Sequence, residues 1–229
     1  WLIINGGKIS KSLGNYKDPR EYIDAYGVDA VRYFALREVS FGSDGAFSEE
    51  ALINRTNADL VNNLGNLVNR TISMSHKYFD GVVENPKVNE DIDIDLISAV
   101  TSLKAKVDEK MAGLKVNEAL EEIFEVLKRC NKYIDETRPW ELAKNEETDK
   151  LKSSMYHLIE NIRKIAICLL PFMENTSKDI LRQIGMPEDL RTWNSLYEYD
   201  KLHGIKVIEK GEPIFMRKNV EEELEYLRN

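Results

Sequence analysis

Lys8 and Lys11 flank two residues in the run Gly6-Gly7-Lys8-Ile9-Ser10-Lys11-Ser12-Leu13-Gly14-Asn15. Two ammonium groups so spaced on a glycine-flanked loop can fold over a polyphosphate and neutralise charge that builds on it in a transition state. Ser10, Ser12 and the loop amides can donate hydrogen bonds to phosphate oxygens. The glycines let the loop change shape when substrate arrives. A solvated surface loop has the same composition, but the context favours the phosphate reading. A strand-like Trp1-Leu2-Ile3-Ile4 leads in, and Asp18-Pro19 starts a helix just after.

A second group can read bases. Asn62, Asn66 and Arg70 recur every four residues in a segment where Leu60, Leu64, Leu67, Val68 and Ile72 mark one apolar helical face. The spacing places the three on one ridge, away from the apolar side, over about 12 Å. Carboxamides and a guanidinium read base edges by paired hydrogen bonds, and Arg also stacks or touches phosphate. A solvated helix face is the commoner fate of such a stripe. Its unusual feature is asparagine: Asn54, Asn57, Asn62, Asn63, Asn66 and Asn69 share one helix, where Glu or Lys would be better helix formers. Third is Arg138-Pro139-Trp140, in which Pro139 ends the preceding helix and holds Trp140 at a helix corner. There the indole either plugs the core or offers a platform for one flipped base, worth roughly 1–3 kcal/mol.

These groups need elements to hold them. The pattern predicts helices over 19–26, 28–39, 48–79, 95–113, 117–137 and 149–170, a resumption after Pro171 to about 184, and a last amphipathic helix over 219–228. The 149–170 helix repeats Met155, Leu158, Ile162, Ala166 and Leu169 as its apolar side. Residues 40–47 read as a turn-rich connector and 82–94 as a polar loop. Residues 185–217 read as an irregular tail packed on the bundle, with one short hairpin. The fold class is all-α, a helical bundle preceded by a short strand-and-loop remnant. Three parts follow: 1–45, the lysine loop and connecting helices; 46–185, the bundle; and 186–229, the tail and its short helix.

Composition narrows the function. With 229 residues, 42% hydrophobic and 31% charged, the chain can bury a core and is not disordered. No apolar run reaches the ~20 residues of a membrane span. Cys130 and Cys168 stand far apart, which excludes a cysteine-rich zinc site and a disulfide framework; no metal site is expected, and a reducing cytoplasm fits. A net charge of -8 argues against gripping nucleic acid through bulk positive charge, so RNA would have to bind at a local site. The start, without Met or a basic leader, reads as that of an excised fragment. Glu221-Glu222-Glu223 reads as a solvated helix start, and Trp193 as packing.

Lys8-Ile9-Ser10-Lys11-Ser12 resembles the KMSKS signature of class I aminoacyl-tRNA synthetases, with Ile9 for the usual Met and both lysines and serines in place. Leu13-Gly14-Asn15, Asp18-Pro19 and the run from Tyr26 to Phe34 continue the likeness. The companion HIGH signature is absent, and His76, His157 and His203 lie in no such motif. Asn57-Ala58-Asp59-Leu60 through Arg70 resembles the anticodon-domain helix of the methionyl-tRNA synthetase family. Lys132 through Trp140 resembles the segment that carries its base-stacking Trp, and residues 38–52 and 211–217 are similar to that branch. The resemblance implies roles. Lys8, Ser10, Lys11 and Ser12 are the catalytic-loop residues, with Lys8 and Lys11 touching ATP. Asn62, Asn66, Arg70 and Trp140 read the CAU anticodon of tRNA(Met). It also implies a parent enzyme that joins L-methionine to tRNA(Met) with ATP and Mg2+. The fragment itself is expected to hold no cofactor and not to aminoacylate. Two alternatives stay open: another class I branch (Cys, Leu, Ile or Val), and a helical protein-interaction module, which suits the acidic charge but leaves the lysine loop without a role.

Overall fold

The computed structural model describes residues 2–4, 7–13, 15–208 and 211–228. Trp1, Gly6 and Gly14, all part of the lysine-loop reading, lie outside them. A small sheet opens the chain. β1 (Leu2–Ile4) is central, with β2 (Gly7–Lys8) antiparallel on one side and β3 (Gly45–Phe47) parallel on the other. Parallel pairing needs a crossover, supplied by α1 (Pro19–Tyr26) and α2 (Val28–Glu38). The Asp18 carboxylate caps α1 by accepting the Arg20 N–H at 3.0 Å, with Pro19 at the first helical position. Gly27, at φ +81°, makes the turn between the two helices.

The long predicted helix exists as one rod, but it is not uniform. Ser48 caps α3 (Glu49–Arg55), a π segment follows over Thr56–Gly65, and α4 (Asn66–Phe79) completes the rod. The Asn66 N–H reaches Val61 O, five residues back. The asparagine-rich stretch and Gly65 form α-helix poorly, which lowers the cost of the wider turn. Asp80 in the left-handed region and Gly81 then end the rod.

Beyond the rod, the bundle comprises α5 (Asp91–Ala112), α6 (Val116–Thr137), α7 (Pro139–Lys144), α8 (Thr148–Leu169) and α9 (Glu174–Gln183), and α10 (Val220–Arg228) ends the tail. Three expectations are corrected. α5 begins at 91 rather than 95, because Glu90 and Asp93 form a reciprocal capping box. Pro139 does not end α6: Arg138 does so in a left-handed conformation, and Pro139 opens the short helix α7. The tail contains no hairpin of its own among the described residues. Its strand β5 (Ile205–Lys206) pairs with β4 (Val82–Val83), from the loop read as merely polar. Gly185 stands where the tail crosses, at φ +68°, and a Cβ there would run into the Lys206 carbonyl.

α8 is the centre. The predicted side of Met155, Leu158, Ile162, Ala166 and Leu169 faces the bundle, yet every residue from Ser153 to Leu169 is buried. The tail covers the polar side. Arg163 forks onto Glu160 at 2.8 and 2.6 Å and donates to Leu190 O and Ser195 Oγ, both at 2.9 Å. Lys164 donates to Leu196 O at 2.7 Å. The break at Pro171 is satisfied from α2: Arg32 donates to the carbonyls of Pro171 and Phe172, and Asp29 accepts the Thr176 N–H at 2.6 Å. His157 is fully enclosed, with Nε2 2.9 Å from Asn89 Oδ1 and Nδ1 2.8 Å from the Tyr199 hydroxyl.

Two outcomes follow from α8. Arg163→Ala leaves Glu160 buried without its partner, and urea denaturation should show a loss of about 3–5 kcal/mol, with the 186–199 stretch newly open to protease. Burial holds the His157 imidazole below its usual value, against the pull of Asp93 and Asp200. In the unfolded chain it titrates near ~6.5, so below that pH the unfolded state binds a proton that the folded state refuses. Stability therefore falls as pH drops through about 6.5. Urea midpoints at pH 7.5 and 5.5 should differ in that sense, and His157→Gln should shrink the difference.

Candidate functional site

The β1–β2 pairs Ile3–Lys8 and Ile4–Gly7 bring the chain into the lysine loop, and a short 3-10 turn over Lys11–Leu13 follows. Asn15 closes it. Its carboxamide oxygen accepts the Ser10 N–H at 2.8 Å, and its Nδ2 donates to Lys8 O at 3.1 Å. Ser10 Oγ and Ser12 Oγ lie 2.7 Å apart. The Lys11 ammonium stands 5.1 Å from the Tyr16 ring centroid on an exposed side chain. Asp18 does not capture it. The Arg20 guanidinium, 2.6 Å away, holds the Asp18 carboxyl down to about 2, and Lys11 adds to that effect only at longer range. Lys8, at the end of β2, and Ser10, Lys11 and Ser12 thus lie on one short loop that Asn15 closes. Sequence reasoning left Asn15, which fastens that loop, without a role.

The loop exit is anchored by the chain's last helix. Lys17 donates to Glu49 at 3.3 Å and to the carbonyl of Leu227 in α10. Tyr26 donates to Glu223 at 2.9 Å, and Lys218 pairs with the same carboxylate at 3.1 Å. Glu223, read as solvated, is therefore a tether; Glu221 and Glu222 are exposed as expected.

Asn62 and Asn66 are exposed and Arg70 is half-buried, all on the outer face of the rod. The wider turn of the π segment advances each side chain by less than the roughly 100° of an α-helix. A spacing of four falls short of a full turn between Asn62 and Asn66 and overshoots it between Asn66 and Arg70. The three residues therefore zigzag about one line instead of drifting round the axis. α6 flanks one side: Asn131 donates to Asn63 O at 3.3 Å, and Asp135 accepts from Arg70 at 3.2 Å. The tail flanks the other, where Asn62, Asn66 and Asn69 face Ile214, Phe215 and Arg217 across a cleft of about 430 Å³. The Asn57 carboxamide pins that tail, donating to Lys218 O and accepting its N–H at 2.8 and 3.0 Å.

Trp140 lies five residues past Asp135, at the start of α7, and is 45% exposed. Of its two readings, the core plug is excluded by that exposure. Asp135 carried no signal in the sequence that would have marked it; Asn69 and the 211–217 run stood out there, but not as walls of one cleft. Among the described residues, no group of three or more His, Cys, Asp or Glu is placed to hold a metal, and no helix is long and apolar enough to cross a membrane. Cys130 and Cys168 are buried, which pushes both thiols up to about 12. They are core residues.

The chain matches the family model for class I tRNA synthetases of the M type over residues 1–72, and that for the anticodon-binding domain of tRNA ligases over 93–229. It is 52% identical over 225 residues to the methionine--tRNA ligase of Caldanaerobacter subterraneus subsp. tengcongensis, covering 98% of this chain and 35% of that protein. It is 46% identical over 231 residues to the enzyme of the same name from Halalkalibacterium halodurans, covering 100% and 35%. The chain thus spans about a third of the length of these curated relatives. Mycobacterium tuberculosis methionyl-tRNA synthetase in complex with methionyl-adenylate superposes with a TM-score of 0.87 at 34% identity, over 94% of this chain and 43% of that one.

The Asn15 clamp makes a direct prediction. Asn15→Ala removes the acceptor for the Ser10 N–H, so hydrogen exchange at Ser10 should accelerate by roughly tenfold, the worth of one such bond, while the global unfolding midpoint stays within error.

Proposed function

The chain belongs to the methionyl-tRNA synthetases and carries their anticodon-binding domain, and we propose that within its parent enzyme it reads the CAU anticodon of tRNA(Met). The observation that carries this reading is the exposed ridge of Asn62 and Asn66, continued by Arg70, with a half-exposed indole beyond its α6 flank. Each carboxamide offers a donor and an acceptor side by side, the pattern needed for a base edge. The Arg70–Asp135 pair is a partly exposed surface contact, worth at most about 1 kcal/mol. A phosphate or a base acceptor can therefore take the guanidinium from Asp135 at little cost. Trp140 supplies a π-face that any unstacked base can cover. Because the chain as a whole is acidic, affinity must come from these local contacts, and a shallow salt dependence is expected.

The lysine loop serves another substrate of the parent enzyme. ATP, carried with Mg2+, supplies the anhydride that drives ligation of L-methionine to the tRNA. Lys8 and Lys11 would neutralise charge developing on its triphosphate, and the Ser10 and Ser12 hydroxyls would donate to phosphate oxygens. Lys11, held over Tyr16 by only a weak cation–π contact, is free to swing onto a phosphate. The three parts then divide the work in a cytoplasmic enzyme: 1–45 carries the loop, 46–185 reads the anticodon, and 186–229 straps the two together.

Binding to stem-loop RNAs tests the reading. At one fixed salt concentration the chain should prefer a CAU loop over a GAU loop, and Trp140→Ala should weaken CAU binding by roughly 5- to 150-fold. Equal binding of both loops, or none, would return the bundle to the role of a scaffold.

A further inference from the structure

The stripe does not end at Arg70. Seven residues on, two helical turns and about 10 Å further along the rod, Lys77 lies on nearly the same line. Its side chain is exposed, and no described carboxylate pairs with it; its ammonium stands 5.3 Å from the centroid of the Tyr78 ring. Lys106, Lys128 and Lys132, also exposed on the bundle, each hold a carboxylate, whereas the exposed Lys144 on α7, like Lys77, pairs with no described carboxylate. Between this last turn of α4 and the α7 corner lies a cleft of about 530 Å³, lined by Lys77, Tyr78, Leu142, Ala143 and Glu146 among others. That volume falls in the range of about 300–1,000 Å³ usual for small-ligand sites. Leu142 and Ala143 follow Trp140 by only two and three residues on the same short helix. The cleft is therefore bounded by both elements to which the anticodon contacts are assigned.

We propose that this cleft is a further nucleotide subsite, taking one nucleotide that flanks the anticodon triplet in the same RNA loop. The proposal rests on the anticodon reading above. Stacked nucleotides advance by about 3.4 Å each along a strand, so three of them fill the ~12 Å from Asn62 to Arg70, and the next reaches toward Lys77. The Lys77 ammonium leaves the Tyr78 ring for the incoming phosphate, and that ring face is then open to the base. Glu146, on the opposite rim, accepts from a base amino group. The site thus exchanges an exposed cation–π contact for a charge-assisted phosphate contact and a ring stack.

Binding of the 229-residue chain to a CAU stem-loop, measured over a salt series, tests this. Lys77→Met should weaken binding and make the log–log salt slope shallower by about 0.7, the share of one single-strand phosphate. The CAU-over-GAU preference should stay intact. Tyr78→Ala should weaken binding about tenfold, Tyr78→Phe should not, and an RNA abasic at the flanking position should erase the difference between wild type and Tyr78→Ala. If the wild type prefers CAU but Lys77→Met changes neither affinity nor slope, the subsite is wrong and the anticodon reading stands. If the wild type shows no CAU preference, both fall together. Should Tyr78→Ala lose its fold by circular dichroism, the exposed Lys77 variant decides alone.

Discussion

The Glu160–Arg163 pair, sealed inside α8, is the constraint on which the rest of the molecule hangs. A guanidinium removed from water must have its N–H donors answered. Glu160 takes the fork, and the tail brings the carbonyls of Leu190, Ser195 and Glu198 and the Ser195 hydroxyl to the remaining hydrogens. Lys164 repeats the demand one residue on. The irregular tail is therefore not loosely draped: its path over 190–198 is dictated by buried charge. From there it pairs as β5 with β4 and forms the second wall of the Asn62–Asn66 cleft. It ends as α10, which holds the exit of the lysine loop through Lys17 and Tyr26. One buried ion pair thereby fixes a strap that touches both candidate sites.

On the proposed reading, local recognition lets an acidic protein hold RNA. No broad positive field is needed when carboxamides, one guanidinium and one indole stand where bases can reach them. The π segment contributes to this. A regular α-helix would wind a four-residue repeat steadily round the rod, whereas the wide turn ahead of Asn66 brings Asn62 back into line with Arg70. Asparagine, a mediocre helix former, is tolerated there because the turn is not a standard one and because its side chains face outward.

Much of this was legible in the sequence. The apolar repeats along 48–79, 117–137 and 149–170 located the helices to within a residue or two, since burial on one side imposes a period. The lysine loop was legible because its residue types and its strand-to-helix context coincide. What could not be read depended on partners far away in the chain. The polar residues of α8, Glu160 and Arg163 above all, look solvent-facing until the tail covers them. Val82–Val83 looks like loop until Ile205–Lys206 pairs with it. Asp135 is an ordinary helix carboxylate until Arg70 is found beside it. The direction of Trp140 depended on Arg138 adopting a left-handed cap, a conformation that arginine types do not announce.

Hydrogen-exchange mapping of the chain with and without a CAU stem-loop is the most direct test of the central claim. Protection should appear in the outer face of the rod from Asn62 to Arg70 and in the 138–142 corner, and should vanish with a GAU loop at the same concentration. Protection confined to the lysine loop, or spread over the basic side chains without dependence on the triplet, would contradict the assignment of the bundle as the anticodon reader.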